Sequence, residues 1–244
     1  MALNPIIILT LMSPILITGL VAFKIRIQQN SLRLILAFSA AYLFAISIMH
    51  MLPEAFMNNE TKLTGLFIVL GFCMQLLIDS FSTGIEHGHV HLHTQNCSKH
   101  LPYGIIIGLL LHSFLEGLPV YSSNSSNGLN ANHQLIVGLA IHNFPITIAF
   151  VALLKEHGNT GNKNWLWLLL FSMMTPLGYI VGYALQEFTQ TNHEVYSKLA
   201  YALVIGIFLH ISTAILFETS EEHKYTKTKI AVMALGIILA YSLS

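Results

Sequence analysis

The stretch GLLLHSFLEGLPV, residues 108–120, sets His112 and Glu116 four residues apart inside an apolar run. A second run, GLAIHNFPITIAF at 138–150, carries His142 followed by Asn143. On a helix the i, i+4 spacing puts His112 and Glu116 on one face. Two imidazoles and a carboxylate form a nitrogen-and-oxygen donor set that suits a divalent transition metal, zinc above all. Ser113 and Asn143 add weaker oxygen donors beside the histidines. The plain alternative is that the polar groups hydrogen-bond one another and glue a helix bundle together. Pro119 and Pro145 stand close by. Each deprives the carbonyl four residues back, on Leu115 and Ile141, of its helical partner. Helices broken around a site at mid-depth would serve the passage of an ion.

The elements that must hold these residues follow from composition. Of 244 residues 54% are hydrophobic and only 9% charged. A soluble domain carries about 25% charged residues, so this chain is expected to be an all-α integral membrane protein. The net charge of zero gives no reason to expect nucleic acid as a partner. Cys73 and Cys97 form no disulfide framework. A span needs about 20 mainly apolar residues. Eight runs qualify or nearly do: 5–23, 32–56, 63–85, 102–121, 133–154, 164–186, 197–217 and a short last run, 229–244. They lack the alternation of barrel strands. The first run has neither a basic leading segment nor a small-residue cleavage site and reads as a span rather than a signal peptide. Residues 1–244 then form a single membrane domain, with a histidine-rich loop at 86–101.

Basic residues orient the spans. With the N-terminus outside, the inner side holds Lys24, Arg26, Arg33, Lys99, Lys155, Lys163, Lys224, Lys227 and Lys229, and the outer side only Lys62 and Lys198. Both termini are therefore expected outside. The loop EHGHVHLHTQNCSKH, with His87, His89, His91 and His93, falls inside, where alternate histidines can collect a released metal or simply be solvated. His50 and Glu54 fall at the outer end of the second span, where they can guide ions inward or reach for the interface. On the outer side the polar tract 122–132 contains the formal sequon Asn124-Ser125-Ser126, and Asn59-Glu60-Thr61 is another; both read as chance matches.

Taken together these motifs resemble the ZIP family of divalent metal ion importers. The second span ends HMLPEAF, similar to the family's His-x-Leu-Pro-Glu-Ala signature. GFCMQLLID places Asp79 where the family has an acid, and HSFLEG in span four is a close match. MTPLGYIVG in span six and IGIFLHISTAILFETSEEH in span seven also resemble family patterns. The resemblance implies eight helices in a 3+2+3 inverted-repeat arrangement and ion movement toward the cytosol. It implies a site on spans four and five, which maps onto His112, Ser113, Glu116, His142 and Asn143. It also implies paired chains in a cell or plasma membrane, with Zn2+, Fe2+, Mn2+ or Cd2+ as substrate and no cofactor.

The sequence departs from the family in span five. The family usually places further ligands where Ile146 and Thr147 stand, and some members have a Glu where Thr175 stands. One ion is expected at the centre. His210 stands where the family commonly has Tyr. It is expected to act along the pathway, the alternative being a packed histidine hydrogen-bonded toward span six or eight. Two other functions compete with transport. A degenerate metal-binding or sensing protein would fit the missing acids. An intramembrane zinc hydrolase would need a motif such as His-Glu-x-x-His, which does not occur.

Overall fold

The computed structural model describes residues 3–25, 28–57, 61–82, 102–122, 129–156, 162–188, 193–218 and 227–242. Among them every regular element is helical. The chain runs α1 (Pro5–Lys24), α2 (Gln29–Ile46), a π-helical turn (Ser47–Met51), α3 (Leu52–Phe56), α4 (Thr61–Ser82), α5 (Tyr103–Ser122), α6 (Leu129–Glu156), α7 (Asn162–Phe188), α8 (His193–Glu218) and α9 (Lys227–Ser242). Helices are the expected outcome for these apolar runs, since each satisfies its own backbone groups without water. Seven of the described segments are long and apolar enough to cross a membrane, the second being Asn30–Phe56, which takes in α2, the π turn and α3. The 16 residues of α9 rise only about 24 Å, short of a hydrocarbon core of about 30 Å. The histidine-rich loop and its His87, His89, His91 and His93 lie outside the described residues.

Local signals start and stop these helices. Asn4 caps α1, its side chain accepting from the Ile6 amide at 3.0 Å, and Pro5 occupies the first turn, where a missing N–H costs nothing. At the other end of α1, Lys155 of α6 donates to the carbonyls of Ala22 and Ile25 at 2.7 and 3.4 Å. Those carbonyls carry the partial negative charge of a helix C-terminus, so the ammonium both satisfies them and ties α6 to α1.

The expected breaks at Pro119 and Pro145 do not occur: α5 and α6 run through both prolines without interruption. The irregularity lies in the second span instead, where the Leu52 amide reaches back five residues to the Ser47 carbonyl. A π turn of this kind holds one residue more than an α turn would.

Packing pairs helices that are distant in sequence. α5 lies chiefly against α7, α4 against α8, α2 against α9, and α6 against α1. The two helices that carry the site, α5 and α6, touch only over a short crossing. Glycines allow the closest approaches. A β-carbon on Gly117 would collide with the Thr175 carbonyl, and one on Gly178 with the Phe114 carbonyl, so α5 and α7 meet backbone to backbone. Gly71 and Gly206 do the same for α4 and α8, against the carbonyls of Leu203 and Ile68. Small residues at a crossing gain dispersion contact where no hydrophobic force separates helix from lipid. Farther along, Phe150 of α6 stacks on Phe171 of α7 at 4.8 Å.

Candidate metal centre

His112 lies midway along α5 and His142 midway along α6, and the short crossing of the two helices brings their rings 5.7 Å apart, edge to face. Glu116, one turn beyond His112, sits between them. His112 Nε2 is 3.1 Å from Glu116 Oε1, and His142 Nε2 is 3.4 Å from the same oxygen. One ligand atom from each residue falls within 4.8 Å of the others. All three side chains have no exposed surface.

The far nitrogens of the two rings are held from behind. His142 Nδ1 lies 3.3 Å from the Ser39 hydroxyl of α2, and His112 Nδ1 lies 3.4 Å from Gln75 Oε1 of α4. Both rings therefore turn Nε2 toward the carboxylate. Metal-binding histidines are usually oriented in this way by a partner at the second nitrogen.

Glu116 approaches both histidines at ion-pair distance, yet neither of its oxygens is in a hydrogen bond, and His142 Nε2 makes none either. The geometry brings the donors to one point without aligning them on one another. A buried polar atom left in that condition costs about 1–3 kcal/mol, and native structures rarely keep several together without an ion or water to satisfy them. Two imidazole nitrogens and a carboxylate match zinc and its neighbours, with room for a further ligand.

Ser113 and Asn143 are also fully buried, and the Ser113 hydroxyl and both amide atoms of Asn143 make no hydrogen bond. The departures in the second site helix are now concrete. Ile146 is packed in the core, and Thr147 donates to the Asn143 carbonyl of its own helix at 2.6 Å. Thr175 is buried with its hydroxyl in no hydrogen bond, on the glycine-lined crossing of α5 and α7.

The remaining sequence candidates stand apart from this cluster. Asp79 and His210 meet each other, Oδ2 to Nε2 at 2.7 Å, with 11% and 12% of their side chains exposed. The partner of His210 thus comes from the third span rather than from the sixth or eighth. The Phe72 ring stands edge-on to the His210 ring at 4.8 Å. Asp79 also accepts from Gln75 Nε2 at 2.9 Å. At the other end of the bundle Glu54 is exposed and accepts from the Tyr201 hydroxyl at 3.0 Å. His50 is half-buried, and its Nε2 makes no hydrogen bond.

Three residues around these sites carry no motif. Ser39 is too ordinary in an apolar helix to stand out. Tyr201 reads as one more core or lipid-facing aromatic. Gln75 did leave a signal, because it lies four residues before Asp79 and a second polar residue on that face is costly in a span.

The sequence is similar to known proteins. The profile of the ZIP zinc transporter family matches residues 2–104 and 98–244. The chain is similar to Fe(2+) transport protein 2 of Arabidopsis thaliana, 23% identical over 69% of this chain and 61% of that protein. It is similar to zinc transporter ZIP9 of Micropogonias undulatus, 24% identical over 61% of this chain and 49% of the relative. Protein zntD of Dictyostelium discoideum is 24% identical over 65% of this chain and 24% of its own length. The chain thus spans between a quarter and about three-fifths of the length of these relatives. Seven apolar helices, a buried His/Glu cluster between two of them and a family match over nearly the whole sequence agree: the chain belongs to the ZIP zinc transporter family.

Proposed function

We propose that the protein carries divalent transition-metal ions, zinc foremost, across a cell or plasma membrane toward the cytosol, binding one ion at a time between His112, Glu116 and His142. The observation that carries the reading is the convergence of these three buried donors, with Glu116 and His142 Nε2 making no hydrogen bond. Ser113 and Asn143 are the reserve oxygen donors. Fe2+, Mn2+ and Cd2+ fit the same donor set less well or equally.

The route has an outer and an inner part. The charge bias supports α3 outside, with His50 and Glu54 receiving the ion. It supports the Ser82 end of α4 inside, with the partly exposed Asp79 and His210 on the way out. The histidines at 87, 89, 91 and 93 follow on the same side as acceptors for the released metal.

The helix pairings support an eight-span, 3+2+3 inverted repeat with both termini outside. Exchanging α1 with α7, α2 with α8, α4 with α9 and α5 with α6 turns the α5–α7 contact into α6–α1 and the α4–α8 contact into α9–α2. In this scheme α9 is the eighth span. A pair of chains is the proposed assembly.

Uptake by the purified protein in proteoliposomes, with Zn2+, Fe2+, Mn2+ and Cd2+ offered one at a time, tests the reading. Saturable uptake of Zn2+ is expected. Binding of Zn2+ without any flux would make the chain a metal-binding protein on a transporter fold.

A further inference from the structure

We infer that Gln75 is a positioning residue for the metal site: it sets the tautomer of His112 and couples that ligand to Asp79 and His210. The inference rests on the central site proposed above and concerns how one of its ligands is prepared.

The direction of each hydrogen bond fixes the arrangement. An ionised carboxylate only accepts. The end of the Gln75 side chain that lies 2.9 Å from Asp79 Oδ1 must therefore be the amide nitrogen. That leaves the amide oxygen facing His112 Nδ1 at 3.4 Å. An amide oxygen also only accepts, so the proton of the neutral imidazole belongs on Nδ1. Its Nε2, 3.1 Å from Glu116, is then left with the lone pair a metal requires. On the far side Asp79 is held by His210 at 2.7 Å, which keeps the carboxylate turned toward Gln75.

His142 is held differently. Its Nδ1 faces the Ser39 hydroxyl at 3.3 Å, which can donate or accept. Ser39 orients the ring without choosing the tautomer. Of the two imidazoles, His112 alone is committed in advance by its neighbour. The 3.4 Å separation is at the long end for a hydrogen bond. A cation on Nε2 withdraws charge from the ring and makes the Nδ1 proton a better donor, so this contact tightens when the ion arrives. Gln75 has no exposed surface, which spares this hydrogen bond from competition with water.

The test uses the full chain in detergent and in proteoliposomes. Gln75→Met keeps length and apolar fit and removes both hydrogen bonds. Zn2+ affinity, read by direct titration, is expected to fall about 10–100-fold, the usual effect of losing such a partner. Nitrogen-15 spectra of His112 in the metal-free protein are expected to show Nδ1–H in the parent and a mixture of tautomers in the variant. Asp79→Asn alone is expected to weaken binding severalfold, because the amide can turn away from Gln75. Gln75→Met/Asp79→Asn is expected to be no weaker than Gln75→Met, because Asp79 acts on the ion through Gln75. Parent-like affinity and tautomer in folded Gln75→Met, or additive losses in the double variant, overturn the inference. If Gln75→Met does not fold, an unchanged His112 spectrum in Asp79→Asn overturns it instead. His112→Ala separates the two levels. If that variant binds Zn2+ as the parent does, the central site itself is wrong; if it loses Zn2+ while Gln75→Met does not, only the role of Gln75 is lost.

Discussion

His112 and Glu116 share a spacing with His50 and Glu54, and the two pairs have opposite fates. In α5 the backbone between the residues is regular α-helix, so both side chains lie on one face and meet at 3.1 Å. In the second span His50 belongs to the π turn and Glu54 to the short helix after it. The wider turn upsets the i, i+4 rule, which holds only at the α period. Glu54 reaches the Tyr201 hydroxyl instead. The surroundings differ as well. The central pair has no exposed surface, whereas Glu54 is open. A charge in the first place lies in a low dielectric, where each neighbouring charge acts strongly; in the second it is screened by solvent. Sequence spacing nominates a ligand pair, and backbone period and burial decide whether it becomes one.

The largest contrast is expected from removing ligands at the centre. His112→Ala, Glu116→Ala and His142→Ala should each reduce Zn2+ uptake to that of empty vesicles while the protein remains inserted and folded. Normal uptake by a well-expressed member of this set would falsify the central assignment. Stoichiometry sharpens the same contrast. Anomalous scattering from Zn2+-loaded protein is expected to show one ion at the centre, since Ile146 and Thr147 supply no further ligand. Two ions about 4 Å apart, as in two-metal sites, would contradict it.

The outer pair should respond more weakly. Tyr201→Phe removes the hydroxyl that steadies Glu54, a hydrogen bond on the order of 1 kcal/mol. KM for uptake is expected to rise by about fivefold at most, with the maximal rate and the Zn2+ affinity of the centre unchanged. A fall in central affinity would mean that the two pairs are not separate stations. The smallest effect is expected from His210→Tyr, since a phenol can also donate to Asp79. Uptake should be mostly retained and the preference among Zn2+, Fe2+ and Cd2+ shifted. Loss of all binding would make His210 a ligand.

Much of the centre was legible in the residues. His112 and Glu116 follow from one helical period, and His142 from its equal distance to the ends of its run. The packing was not. Nothing in local sequence says that α5 leans on α7 rather than on α6, because the contact is made by the absence of side chains at Gly117 and Gly178. The prolines were a poor guide as well: they suggested breaks in α5 and α6, and both helices continue through them. The π turn escaped because it depends on how Ser47–Met51 packs, and no residue type in that stretch demands it. Gln75 was overlooked because its role depends on two partners, one of them 37 positions away.

Complete burial of His112, Glu116 and His142 gives the proposed site a kinetic consequence. An ion held there touches neither solution, so it cannot be pulled out by a competitor waiting outside. Departure must await an opening of the helices, and the frequency of opening belongs to the protein. Zinc loss from the loaded chain to an added chelator should therefore level off as chelator concentration rises, at a rate common to chelators of different strength. A rate that instead climbed in proportion to chelator would mean that solvent reaches the ion directly. The plateau, where it exists, is a clock for the conformational step and sets an upper bound on turnover.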